Sequence, residues 1–361
     1  MVYNEFIRCE VCGCITRIRL QVGWLDEHPI AVTCGKCGIS LKGKVKIGQD
    51  TLGLKFEFEN AERVNVAPTT IPDYVVECSG EFTTIKMCDG WCLQENFITP
   101  FIRYQQKSGD FDNYKSFGNS VNTLKQTAIW PQYKRVLQLY KDGNQEYLKQ
   151  EIKKLFPEEY IMCRNELEIM RAVRMIEVHG FLSPLKPVIL DFPQIGSDIL
   201  KLDKEKMNCL IEYLNTHDGY SLKQMQEQIN TLLGEFIVAY PYLIPALSLQ
   251  FCDEGSVDLE VEGTTTSTYE DVKQFYLDAY ETLGNLLIIP AAIDNIKNRG
   301  DANGFIANNA GIVSLDKFIA ATKANRFHLY NKNELYMRTI DVKYNQKLRN
   351  AIGHNDVEYE T

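Results

Sequence analysis

The sequence predicts an α+β protein, with a cysteine-rich β module at the N-terminus followed by a mainly helical remainder. Three observations carry that expectation. Two Cys-x-x-Cys-Gly turns flank a strand-like segment near the start of the chain. β-formers then cluster between turn residues until about residue 100. After about residue 112, apolar residues recur instead at three- and four-residue steps, the period of a helix with one buried face.

The composition fits folded domains. A chain of 361 residues has room for two or three of them, and 45% hydrophobic with 24% charged residues reads as globular. The net charge of −9 excludes a protein that coats nucleic acid by bulk electrostatics, so any contact with RNA or DNA has to be local. The opening "VYNEFIRCEVCGC" lacks an apolar signal-peptide core. The longest apolar stretch, "FIVAYPYLIPALSLQF" (236–251), is short and interrupted by two prolines. A cytoplasmic protein with no membrane partner is therefore expected. Eleven cysteines, an odd number, favour thiols and metal ligation over disulfides.

In chain order, "RIRLQV" (17–22), "GLKFEF" (53–58), "DYVVEC" (73–78) and "FTTIKM" (82–87) read as strands, the last two joined by a hairpin turn at "CSGEF". Pro68, Pro72 and Pro100 punctuate this region. Helical segments follow: "SVNTLKQTAIW", "PQYKRVLQLYKDG", "NQEYLKQEIKKLF" and "NELEIMRAVRMIEVHG". A proline-rich loop, 183–197, leads to "DILKLDKEKMNCLIEYLN" and "SLKQMQEQINTLLGEFIVAY". The acidic, threonine-rich stretch 252–268 reads as an exposed connection or a small hairpin. Helix returns over 269–300, in "SLDKFIAATKANRFHLYN", and over 340–353. These textures divide the chain into 1–50, 51–111, 112–264 and 265–361.

Cys9-Glu-Val-Cys12-Gly and Cys34-Gly-Lys-Cys37-Gly are separated by 21 residues. Each Cys-x-x-Cys turn can aim two thiolates at one ion, and the glycine lets the backbone curl beneath it. Two such turns joined by a hairpin's length of chain make a zinc ribbon over 1–50, with Cys9, Cys12, Cys34 and Cys37 holding a structural zinc. Cys14 is a rival to Cys12, although the symmetry of the two turns favours Cys12. Cys78, Cys88 and Cys92 lack paired spacing and read as buried thiols or a second metal site; Cys163, Cys209 and Cys252 read as inert. Arg8, Arg17, Arg19, Lys36, Lys42, Lys44 and Lys46 form either a nucleic-acid-contacting patch or a solvated face, since Glu10, Asp26 and Glu27 are interspersed.

Near the C-terminus, "KLRNAIGHND" (347–356) brings Arg349, Asn350 and His354 together. Ile340, Tyr344, Leu348 and Ile352 make an apolar stripe on the predicted helix. Asn350 and His354, four apart, share a face, whereas Arg349 and His354 lie about 140° apart around it. A histidine near neutrality can move the proton of a ribose 2′-hydroxyl or of a departing 5′-oxygen. An arginine can hold the phosphate and stabilise its developing charge. Such a pair suits RNA cleavage without metal; the plainer alternative is the polar end of an ordinary helix. Arg174 and His179 repeat the spacing on an amphipathic helix and read as a coincidence.

"RNAIGH" resembles the R-x4–6-H motif of HEPN domains, helical bundles that include abortive-infection and toxin ribonucleases. The resemblance is close over the motif and extends to 265–361 in helical texture. It implies a HEPN-like bundle with metal-independent endoribonuclease activity, Arg349 and His354 being catalytic and Asn350 supporting. It also implies an RNA substrate, tRNA among the candidates, a homodimer that completes the site, and a role in phage defence or toxin-type growth arrest. An acid from an earlier helix would come from the polar stripe Glu270, Gln274, Asp278, Glu281 and Asn285, with Glu281 or Asp278 nearest the site. Tyr359 is a weaker candidate. The rival reading is a non-catalytic zinc-ribbon and helical module that binds RNA or a regulatory protein partner. No His-Glu-x-x-His zinc-hydrolase motif or glycine-rich phosphate loop occurs.

Overall fold

The computed structural model describes residues 1–47, 54–67, 69–90, 98–125, 129–161, 163–178, 192–327, 329 and 345–354. Pro68, Cys92, His179, Ile340, Tyr344 and Tyr359 lie outside the described residues. The architecture is α+β, β-rich at the N-terminus and helical toward the C-terminus.

Strands β1 (Val2–Cys9) and β2 (Ile15–Gln21) form one antiparallel hairpin. A second is formed by β3 (Glu27–Thr33) and β4 (Ser40–Ile47), and β5 (Leu54–Phe58) adds to β4. Gly43 permits that last pairing, because a Cβ there would stand 2.2 Å from the Glu57 carbonyl oxygen. Next come β6 (Ala61–Arg63), β7 (Tyr74–Ser79), β8 (Thr84–Ile85) and β9 (Cys88–Asp89). The larger sheet has the order β6-β1-β2-β7-β9, with β7 parallel to β2, so strands from 1–50 and 51–111 share it. Along β2 and β3 every second residue is buried, as a half-buried strand requires. Ile18 and Leu20 of β2 and Ile30 and Val32 of β3 thus meet Ile7, Leu41, Val45 and Val76 in one core.

Residues 82–87 do not return as a hairpin against 73–78, as the sequence suggests. β9 makes the antiparallel pair with β7, while β8 pairs with β10 (Glu262–Gly263). Glu81 turns the chain away, its buried Oε1 accepting the N–H groups of Trp24 and Leu25 at 2.8 and 2.9 Å. The stretch 252–268 is correspondingly not a free connection. Its Glu262 is buried and bonded to Lys107 and Thr83, and the Thr265 carbonyl accepts the Ala31 N–H at 2.7 Å.

Helices α1 (Pro100–Lys107), α2 (Phe111–Lys125), α3 (Ile129–Lys141), α4 (Gln145–Leu155), α5 (Pro157–Tyr160) and α6 (Glu166–Met175) follow the sheets. Part of the expected proline-rich loop is helix α7 (Phe192–Leu200), since Pro193 falls in a first turn that needs no N–H donor. After α8 (Lys204–Asn215), α9 (Leu222–Ser248) begins at a Ser221/Gln224 capping box and runs on through Pro241 and Pro245. With its following turn to Phe251, α9 is long and apolar enough to cross a membrane by length and composition, which the sequence reading of 236–251 missed. In this fold it packs against α3, α8 and α10. The helix expected over 269–300 is two, α10 (Tyr269–Leu286) and α11 (Ile288–Arg299). Short α12 (Leu315–Ala320) and α13 (Lys323–Phe327) precede α14 (Gln346–His354). Trp24, Phe82, Tyr104, Phe117 and Tyr240 form an aromatic cluster joining the β module to the helices.

Candidate functional site

Two sites emerge, one at each end of the chain. Residues Cys9–Cys14 close the β1–β2 hairpin, and Cys34–Ile39 close β3–β4 in the same way. The N–H groups of Gly13 and Gly38 donate to the carbonyls of Cys9 and Cys34, both at 2.9 Å. Those of Cys9 and Cys34 donate to the carbonyls of Cys14 and Ile39, again at 2.9 Å. Gly13 and Gly38 adopt φ of 71° and 72°, the left-handed region where a side chain would be strained. The sequence symmetry is thus a structural one.

The two turns face each other across a small gap. Cys9 Sγ lies 3.7 Å from Cys37 Sγ, Cys12 Sγ lies 3.6 Å from Cys34 Sγ, and all four sulfurs fall within 4.8 Å of one another. A tetrahedral ion bound at about 2.3 Å requires sulfurs about 3.8 Å apart. The four residues fit a metal ion. Cys14 is buried outside the cluster, where burial pushes its thiol up to about 12. Burial also opposes ionisation of Cys34, but N–H groups of Cys37 and Lys36 and the neighbouring thiols prevail, bringing it down to about 7. A cluster of four sulfurs leaves no open position for substrate.

The basic residues around this module are largely spoken for. Arg8 pairs with Glu62, Arg19 with Glu77 and Lys42 with Asp271, while Lys44 and Lys46 share Glu27. Of the remaining cysteines, Cys78 and Cys163 are buried, Cys88 and Cys252 half-buried and Cys209 exposed.

At the other end, α14 is anchored by Asn345. Its side-chain Oδ1 accepts the Leu348 N–H at 3.0 Å, and its carbonyl accepts the Tyr276 hydroxyl of α10 at 3.2 Å. Ile352 is buried, but Leu348 is 42% exposed. Ile340 and Tyr344 of the expected stripe lie outside the described residues, and Arg349 is the side chain of α14 seen to bond α10. Its Nε and Nη2 both donate to Glu281 Oε1, at 3.1 and 2.6 Å, and its guanidinium lies 6.0 Å from the Tyr280 ring centroid. Asp278, the other acid considered, accepts a hydrogen bond from Gln274 and lines a separate groove along α3 and α9.

Arg349 opens onto a pocket of about 480 Å³ between α10, α13 and α14, lined by Tyr280, Glu281, Thr322, Lys323, Gln346 and Asn350. His354 ends α14, exposed, and is not among the described residues that line the pocket. The structure thus joins Arg349 and Asn350 at one cavity and sets His354 on the rim of the helix. Lys323 and Thr322 escaped the sequence reading, although "TKANRF" holds two cations three apart on one short helix. Arg174, set aside as a coincidence, pairs with Glu177 just past the end of its helix.

No protein-family model, curated protein or solved structure matches this chain.

Proposed function

We propose that the protein is a metal-independent endoribonuclease of HEPN type, built on a β module held by zinc at Cys9, Cys12, Cys34 and Cys37. One observation carries this reading: Arg349 lines a cavity, with its Nε and Nη2 both donating to one carboxylate oxygen of Glu281. A guanidinium that already holds one oxyanion at a cavity can also hold the tetrahedral oxyanion of a phosphodiester. His354 is exposed on the same helix, free to meet RNA.

In the proposed reaction the ribose 2′-oxygen attacks phosphorus and the bond to the 5′-oxygen breaks. One proton leaves the 2′-oxygen and one reaches the departing 5′-oxygen, the exchange assigned to His354. Arg349 stabilises the charge on the phosphorane, and Asn350 orders the site. The products are a 2′,3′-cyclic phosphate and a 5′-hydroxyl. Because Arg349 and His354 are about 140° apart on one helix, a second copy of the chain supplies the histidine in the arrangement we favour, a homodimer. The setting proposed is cytoplasmic, in phage defence or toxin-type growth arrest, under control of a regulatory protein partner.

The test is incubation of wild type, Arg349→Ala and His354→Ala with total RNA and with tRNA in EDTA, reading the 3′-end chemistry. Wild type cleaves, and each variant loses about 10²- to 10⁴-fold in rate. Cleavage by both variants at the wild-type rate removes the pair from the mechanism. Growth arrest on expression should likewise disappear with His354→Ala. A second reading, a non-catalytic module that binds RNA or a protein partner, is favoured by the position of His354 outside the pocket. It predicts stable complexes without turnover.

A further inference from the structure

Arg326 on α13 is 2% exposed, yet every acceptor it meets among the described residues is neutral. Its guanidinium donates to the carbonyls of Ala321, Gly284 and Ile319 at 3.2, 3.0 and 2.7 Å, and to Asn285 Oδ1 at 3.1 Å. The rings of Phe318 and Tyr220 lie 5.2 and 5.8 Å from it. Among the described residues these neutral oxygens accept its hydrogen bonds without offsetting its charge, and in a poorly solvated interior that charge reaches far.

Lys323, three residues earlier, donates to the same Asn285 Oδ1 at 2.5 Å. Its stem crosses α10 at Gly284, where a Cβ would come within 2.9 to 3.1 Å of the lysine carbons. The bare glycine seats the lysine against the helix, and Lys323 lines the pocket that holds Arg349. Burial and the nearby Arg326 push that ammonium below the usual lysine range, while Glu281 pulls the other way. Lys323 and Arg349 thus line the pocket beside the carboxylate of Glu281, with the buried Arg326 close enough to act on Lys323, in a chain of net charge −9.

We infer that this pocket is a phosphate subsite, in which Lys323 is the second positive ligand of a phosphodiester held by Arg349. The assignment of RNA as the source of that phosphate rests on the ribonuclease reading above. Arg326 adds its charge through its proximity to Lys323, and Glu281 is the internal competitor whose carboxylate the phosphate displaces from Arg349.

The experiment uses the full chain and a short fluorescent 2′-O-methyl oligoribonucleotide, which cannot be cut because its attacking hydroxyl is blocked. Binding is followed by anisotropy over a range of salt concentrations. Lys323→Met is expected to weaken binding about tenfold and to flatten the salt dependence by about one phosphate contact. Lys323→Arg retains most of the affinity, and Glu281→Gln tightens binding. A Lys323→Met protein that matches wild type in affinity and salt slope overturns the subsite, as does wild type that fails to bind the probe. Parallel cleavage of unmodified RNA separates the two ideas. Cleavage by wild type with no effect of Lys323→Met on the probe leaves the ribonuclease and removes the subsite. The expected probe results with no cleavage leave the subsite and remove the ribonuclease.

Discussion

The thiolate cluster and the arginine pocket are built on opposite plans. All four sulfurs come from two turns within residues 9–37, and each turn is closed by its own backbone hydrogen bonds. The pocket takes Glu281, Lys323 and Arg349 from three helices that are far apart in the chain. The first site keeps its shape through backbone geometry and has four sulfurs placed to share one ion. The second keeps it only while α10, α13 and α14 remain packed. A site of the first kind fails by losing a ligand, and one of the second kind by losing a neighbour.

The sharpest way to break that contrast is to remove one sulfur. Structural zinc binding contributes roughly 10 kcal/mol or more to a small site, and three thiolates do not hold the ion as four do. Cys34→Ser should fall from one equivalent of zinc per chain to near none by elemental analysis, with loss of protease resistance in the β module. Cys14→Ser, altering a thiol outside the cluster, should keep its zinc. A full equivalent in Cys34→Ser, or loss in Cys14→Ser, would mean that the ligand set is misassigned.

A smaller loss is expected at the helical end. Arg326→Met removes the donor for the carbonyls of Ala321, Gly284 and Ile319. Leaving such buried acceptors unpaired costs about 3 kcal/mol in total. Urea unfolding should show that destabilisation while the zinc content stays at wild type. Unchanged stability would show that Arg326 does not hold α13 to α10.

The same contrast governs what could be read from the sequence. The Cys-x-x-Cys-Gly repeats specified the cluster because ligand, turn and glycine all lie within six residues of one another. Arg349 stood out for its place beside His354, but its actual partner, Glu281, is 68 residues away. Only the polar stripe on α10 hinted at it. Lys323 and Arg326 carried no signal of their own, since their importance comes from burial against Gly284 and Asn285. The β8–β10 pairing was hidden for a similar reason: its two strands are two residues each and far apart in the chain. Helix α9 shows the converse error, where local rules stop a helix at Pro241 and tertiary packing of Tyr240 and Ile244 carries it on.

The smallest effect expected lies where the two regions touch. Asp271 at the start of α10 accepts the Thr268 N–H at 2.8 Å and pairs with Lys42 of β4. Burial works against its ionisation, but Lys42 and Thr268 outweigh that and hold the carboxyl below the usual aspartate range. A group lowered in this way stabilises the fold above its unfolded pKa and stops doing so as pH falls through the lowered one. The link is therefore fully present at neutral pH and fades only in acid. Lys42 is 37% exposed, so solvent screening limits the pair to about 0.5–1 kcal/mol. A cycle of Lys42→Met, Asp271→Asn and the double variant, unfolded in urea at neutral pH, isolates that coupling. It should shrink in high salt. A coupling that salt leaves untouched would mean that the two regions are joined here by packing around Tyr242, whose ring centre is 5.9 Å from the Lys42 ammonium, and not by charge.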